Sequence, residues 1–180
     1  MLVIEILTDS MLRELLINYD LEDPYEKIDI LCEEIKYLDF GWNHHSINNI
    51  FVCAFEDDEL VGVAKLKTGG SDCSMHPGWK NWIGFISVRK GYFGKGIGKL
   101  LVKNLFKYAS ENNLSILTSS YSMRGWIHLR NHVHNFALKY GVKLNDPDTK
   151  PRFYDFESYE GMEEETYKKL VDKFFKQSRG

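Results

Sequence analysis

A chain of 180 residues with 43% apolar and 27% charged side chains is long enough to bury one sizeable core and too apolar for intrinsic disorder. Its formal net charge of −3 carries no global nucleic-acid signature. No apolar run reaches the length of a membrane span, no secretory leader pattern opens the chain, and the three cysteines, Cys32, Cys53 and Cys73, make neither a zinc spacing nor a disulfide framework, so reduced thiols in the cytoplasm are expected.

In chain order, Leu2 to Leu7 reads as a short strand. Thr8, Asp9 and Ser10 offer caps for a helix to about Tyr19, with Met11, Leu12, Leu15 and Leu16 as its apolar face. Pro24 can open a second helix carrying Ile28, Leu31, Cys32, Ile35 and Leu38 at helical spacing. Phe40 to Asn49 is irregular. Ile50 to Phe55 and Leu60 to Thr68 are strands joined by the polar turn Glu56-Asp57-Asp58-Glu59, so the pair is expected to be a hairpin. A long loop, Gly69 to Lys80, follows, and loops of that length are often functional.

The stretch from Asn81 to Lys107 organises the rest. Trp82 to Val88 is an apolar, partly β-branched run of strand length, and Ile97, Leu101, Leu105 and Tyr108 repeat at helical spacing. Between them Gly91, Gly94, Gly96 and Gly98 fall within eight residues. A strand, a glycine-rich turn and a helix form an anion-binding arrangement: the bent backbone aims several N–H groups at one point, and the helix start adds unpaired N–H groups and a positive dipole end. Lys95 and Lys99 add cationic side chains. The run Gly98-Lys99-Leu100 is not the end of a Walker loop, and Gly94-x-Gly96-x-Gly98 is not the dinucleotide spacing. Beyond it, Leu114 to Ser119 reads as a strand and Gly125 to Tyr140 as one helix, with Trp126, Leu129, Val133, Phe136, Ala137 and Tyr140 on its apolar face and Gly141 as its stop. Arg152 to Phe156 alternates like a last strand, and Met162 to Gln177 reads as an amphipathic C-terminal helix.

Val88, Tyr92, Gly94, Gly96, Ile97, Gly98 and Leu101 stand where the acetyl-CoA loop of the GNAT superfamily of N-acetyltransferases has its characteristic residues, and the stretch resembles that loop. Phe93 takes a slot usually filled by Arg or Gln. The element order also resembles the family's. The resemblance implies an α/β (α+β) fold, a single domain over 1–180 with a mixed, mostly antiparallel central sheet flanked by helices. The acetyl-CoA core would span about 81–141, and a helix at about 162–177 would be extra. It implies acetyl-CoA as co-substrate, no metal, and a primary amine on a small molecule or protein as acceptor. The backbone of Ile86 and Val88 would then bind the pantetheine arm as an added strand. The amides of Phe93, Gly94, Lys95, Gly96, Ile97, Gly98 and Lys99 would hold the pyrophosphate. The N–H of Ile86 or Ser87 would face the thioester oxygen, and Asn131 would contact the cofactor. Relatives are often dimers, which makes a homodimer an open expectation.

The proton-transfer groups are less defined. The slot where relatives carry a catalytic Tyr holds Ala137, which leaves Tyr140 and Tyr121 as candidate acids for the leaving thiolate. No carboxylate lies on Trp82 to Val88. Candidate bases are therefore His76 and Asp72 in the long loop, Glu33 or Glu34 on the second helix, or a water. His128, His132 and His134 lack the Glu of a His-Glu-x-x-His zinc helix. Two other readings stay open here: a CoA-binding module without turnover, and a toxin-like modifier of aminoacyl-tRNA, to which the basic band from Arg89 to Lys107 would contribute.

Overall fold

Among the described residues six strands lie in the sheet in simple sequence order, and the first four form an antiparallel meander. The structure is a computed structural model that describes residues 1–17, 48–69, 76–118, 121 and 123–147, plus the single positions 165, 168, 169, 172 and 176. The second helix, the strand expected at Arg152 to Phe156 and the C-terminal helix therefore lie outside the described residues, those single positions aside.

β1 (Leu2–Thr8) pairs with β2 (Asn48–Glu56), β2 with β3 (Glu59–Thr68), and β3 with β4 (Trp82–Val88), all antiparallel. The β2–β3 turn is Asp57-Asp58, with φ of 49° and 67°. Positive φ at both central residues is the twist a two-residue hairpin needs. Helix α1 (Asp9–Ile17) starts at a cap in which Thr8 Oγ1 accepts the Met11 N–H at 3.4 Å. Asp9 in its first turn accepts from Asn49 Nδ2 at 3.1 Å and so ties the helix to β2. Leu12 of α1 is fully buried, whereas Met11, expected on the same apolar face, is about half exposed. The contact stripe of this short helix is narrower than its apolar pattern.

After β4 a short 3₁₀ turn, Lys90–Tyr92, leads to the glycine loop and then to α2 (Ile97–Glu111). β5 (Ile116–Leu117) follows. The helix expected as one piece from Gly125 is two, α3 (Met123–His128) and α4 (Arg130–Lys139), broken at Leu129. β6 (Leu144–Asn145), which the sequence pattern does not announce, runs parallel to β5.

The period of two along the strands splits the core. Val52, Ala54, Ala64, Leu66 and Ile83 face Leu101, Leu105 and Phe106 of α2 and Val133, Phe136 and Ala137 of α4. Phe51, Cys53, Phe55, Leu60 and Val63 face the other way, with Leu7 and with Leu12 of α1. Burial, with a smaller contribution from the charge of Glu5, pushes the Cys53 thiol up to about 12. An unfolded thiol ionises near pH 8.5–9, so the native state holds the extra proton, and this contribution to stability is lost as pH rises from about 9 to 12. In a variant with Cys32 and Cys73 replaced by Ser, Cys53 should therefore resist a thiol reagent at pH 8 until denaturant is added. Rapid labelling of the native protein would contradict the burial.

Candidate active site

The site begins with a change of parity in β4. Its register against β3 runs Gly62↔Val88, Val63↔Ser87, Ala64↔Ile86, Lys65↔Phe85, then shifts to Leu66↔Ile83. Gly84 is the extra residue of this bulge. A Cβ there would lie 3.2 Å from Lys65 Cδ, so the glycine leaves room for the buried stem of Lys65.

Residues in an antiparallel ladder alternate between pairs that exchange both backbone bonds and pairs that exchange none. Arg89 N–H donates to Val61 C=O at 2.8 Å. By that alternation Ser87 and Phe85 also bond to β3, while Ile86 and Val88 turn their N–H and C=O to the opposite edge. Before the bulge the parity is reversed, and there Asn81 C=O accepts from Leu117 N–H at 2.9 Å.

That opposite edge is open. Among the described residues β4 pairs with β5 only at Trp82↔Leu117. On its other side β5 bonds to β6, where Ile116 N–H donates to Lys143 C=O and Thr118 N–H to Asn145 C=O, both at 2.9 Å. Among the described residues no strand therefore pairs with the outward-turned groups of Ile86 and Val88. Asn81 ties the strand ends together: Nδ2 donates to Ser115 C=O at 3.2 Å, and Oδ1 accepts from Gly69 N–H at 3.2 Å. Sequence reading did not single out Asn81, because its role depends on three strands meeting.

Beyond Val88 the chain passes through the 3₁₀ turn into the glycine loop. Gly94 and Gly96 have φ of 77° and 78°, and nothing lies within 4 Å of where a Cβ would stand at either. Only glycine adopts this backbone without strain. Gly96 is the N-cap of α2, and no side chain caps the helix. The N–H groups of its first turn are thus turned toward the loop with the positive end of the dipole behind them. Lys95 Nζ sits 4.5 Å from the Tyr92 ring centre. Lys99 is exposed, and so, in part, is Phe93. An open strand edge that ends on uncapped amides in a left-handed glycine loop suits an extended ligand with a phosphate at one end.

The model of the acetyltransferase (GNAT) family matches residues 12–125, well over half of the chain. This chain belongs to the GNAT acetyltransferase family. Solved structures similar to it include an aminoglycoside 6′-N-acetyltransferase from Acinetobacter baumannii, 14% identical, covering 86% of this chain and 98% of that one, with a TM-score of 0.44. An integron cassette protein from the V. cholerae mobile metagenome is 20% identical, with coverage of 88% and 95% and a TM-score of 0.46. A ribosomal-protein-alanine N-acetyltransferase from Brucella melitensis is 18% identical, with coverage of 86% and 99% and a TM-score of 0.41. No curated protein matches the chain at a significant level.

The remaining candidates of this GNAT enzyme are spread over the fold. Tyr121 follows β5, packs on the α2 side of the core, and meets Trp126 edge-on at 5.9 Å between ring centres. Tyr140 ends α4. Its ring stacks on Phe136 at 6.2 Å, and its carbonyl accepts from Ser110 Oγ at 2.8 Å. Ser110 lies near the C-terminus of α2, so Tyr140 is at the end of that helix opposite the loop, roughly 20 Å along its axis. Ser87 turns its N–H toward β3. Asn131 is exposed on the first turn of α4, Phe136 is buried, and His76 is half buried in the approach to β4. Asp72, Glu33 and Glu34 lie outside the described residues. Among the described residues no group of three or more His, Cys, Asp and Glu side chains is placed to hold a metal ion, and no helix is long and apolar enough to cross a membrane.

One cluster escaped the sequence reading. Asp146, just past β6, has a side chain only 3% exposed. It accepts from Thr118 Oγ1 at 2.8 Å and from Arg130 Nε at 3.1 Å, and it pairs with His134 Nε2. Arg130 in turn stacks on Trp126 with 4.1 Å from Cζ to the ring centre. A continuous set of contacts therefore leads from Asp146 to Tyr121.

Proposed function

We propose that this chain is an acetyl-CoA-dependent N-acetyltransferase that moves an acetyl group to a primary amine of a small molecule or protein, in one direct step. The observation that carries the reading is the edge of β4 at Ile86 and Val88, unpaired among the described residues, followed by Gly94, Gly96 and the uncapped start of α2. These residues fit the cofactor. The edge offers alternate N–H and C=O groups to an amide-bearing arm, and the loop offers amides and a dipole to a pyrophosphate. When bound, acetyl-CoA supplies an activated thioester.

The chain's own residues then have three tasks. The Ile86 N–H, turned away from β3, donates to the carbonyl oxygen as charge builds on it. Ser87 is less suited, because its N–H is engaged with β3. The new C–N bond forms as the C–S bond breaks. The proton lost by the amine passes to a base or to water, and the leaving sulfur takes one from an acid. Tyr121 is favoured over Tyr140 for that last role, since it comes four residues after Leu117, the β5 residue paired with β4, while Tyr140 lies at the end of α2 away from the loop.

The test is acceptor-dependent release of CoA thiol across a panel of amines, run beside direct titration of acetyl-CoA. Saturable binding with amine-dependent thiol release is the expected result, and Tyr121→Phe should lower kcat by about 10²-fold with KM for acetyl-CoA little changed. Binding without turnover on any amine would favour a CoA-binding module, to which the lack of a carboxylate on Trp82–Val88 would then correspond. No binding at millimolar acetyl-CoA would overturn the proposal.

A further inference from the structure

The glycine loop is met by a side chain from α3. Arg124, on α3, places its guanidinium carbon 4.0 Å from the centre of the Phe93 ring. Phe93 lies directly before Gly94 and is 45% exposed. Phe93 itself brings no charge to the loop, but it carries one on its face.

This contact is anchored nearby. A Cβ at Gly98, in the first turn of α2, would lie 2.9 Å from Leu129 Cδ2. The α3–α4 junction therefore rests directly on the start of α2, which brings Arg124, less than two turns earlier, to the loop. On the other side of Gly94, Lys95 sits over Tyr92. Two cations, each seated on an aromatic face, flank the left-handed glycine where the amides converge. A guanidinium stacked on a ring gives up less freedom on binding and donates in its own plane, in the fork geometry that matches phosphate oxygens.

We propose that Arg124 is a phosphate-binding residue of the acetyl-CoA site, held beside the glycine loop by its stack on Phe93. This rests on the acetyl-CoA reading above and adds a residue from outside the loop. Its partner is a phosphate of the nucleotide end, either the pyrophosphate or the ribose 3′-phosphate, and the experiment separates the two.

Wild type, Arg124→Ala and Arg124→Lys are titrated with acetyl-CoA, with acetyl-dephospho-CoA (which lacks the 3′-phosphate) and with S-acetylpantetheine (which lacks all phosphates). Thermal melts without ligand check that each variant is folded. Arg124→Ala should weaken acetyl-CoA about tenfold and leave S-acetylpantetheine unchanged, with Lys in between because it keeps the charge and loses the fork. If the weakening persists with acetyl-dephospho-CoA, the partner is the pyrophosphate. If it vanishes there, the partner is the 3′-phosphate.

A folded Arg124→Ala that binds acetyl-CoA within about twofold of wild type overturns the proposal and leaves the cofactor reading standing, since one charge-assisted hydrogen bond exceeds that effect. Equal loss for S-acetylpantetheine also overturns it, because Arg124 would then act through the packing of the loop and not through a phosphate. Wild type that binds no acetyl-CoA overturns both readings together.

Discussion

Gly96→Glu is expected to abolish acetyl-CoA binding, with a rise in Kd of at least about 100-fold, equivalent to about 2.7 kcal/mol. Two effects add. The residue sits at φ 78°, and a side chain in this left-handed region costs about 1–2 kcal/mol. That strain falls mainly on stability and local loop geometry. The larger effect on binding is electrostatic: a carboxylate at the N-cap of α2 occupies the point where the free amides and the dipole would meet a phosphate.

Gly96→Ala separates the two effects. It carries the strain without the charge, and since nothing lies within 4 Å of the new Cβ it creates no clash. Alanine should therefore lower stability by about 1 kcal/mol and weaken binding less than about tenfold. Calorimetric titration beside thermal melts reads both quantities. A glutamate variant that binds like wild type would mean that the loop is a turn and not a phosphate cradle.

The elements around this loop were legible because their signals are local. Ile97, Leu101 and Leu105 repeat at helical spacing, and all three are buried against the sheet in α2. The four residues Glu56 to Glu59 between two β-branched runs give the hairpin its turn. The glycines announce backbone that other residues avoid.

What stayed hidden depends on partners distant in sequence. Nothing in Trp82 to Val88 says that, among the described residues, β5 pairs with it only at Trp82. Gly84 reads as a weak point in a strand, and only its pairing with β3 identifies it as the bulge that turns Ile86 and Val88 outward. β6 is two residues long, too short for any periodicity. The break at Leu129 was invisible because the same apolar face continues through it, from Trp126 to Val133. Arg130, His134 and Asp146 each look like surface residues alone, and they become a site only when α4 and the end of β6 are brought together.

That last cluster carries the largest expected stability effect. Asp146 is almost wholly buried and serves Thr118, Arg130 and His134 at once. Removing its carboxylate strands a buried hydroxyl and a guanidinium that is 30% exposed. A hydrogen bond to a charged group contributes about 1.5–3 kcal/mol, and taking one partner from a buried set leaves the other uncompensated. Allowing for the partial exposure of Arg130 and His134, Asp146→Ala should cost about 3 kcal/mol, or a fall in Tm of roughly 6–12 °C for a chain of this size. Asp146→Asn should fall between, because its amide oxygen still accepts from Thr118 and its neutral charge no longer answers Arg130. Arg130 also braces Trp126, and Trp126 braces Tyr121. Well below the melting range, Asp146→Asn should therefore lower kcat more than it raises KM for acetyl-CoA, since the glycine loop is fixed separately by β4 and α2. An alanine variant that melts within about 1 °C of wild type would instead mark the cluster as a solvated surface pairing, the class of ion pair that contributes little.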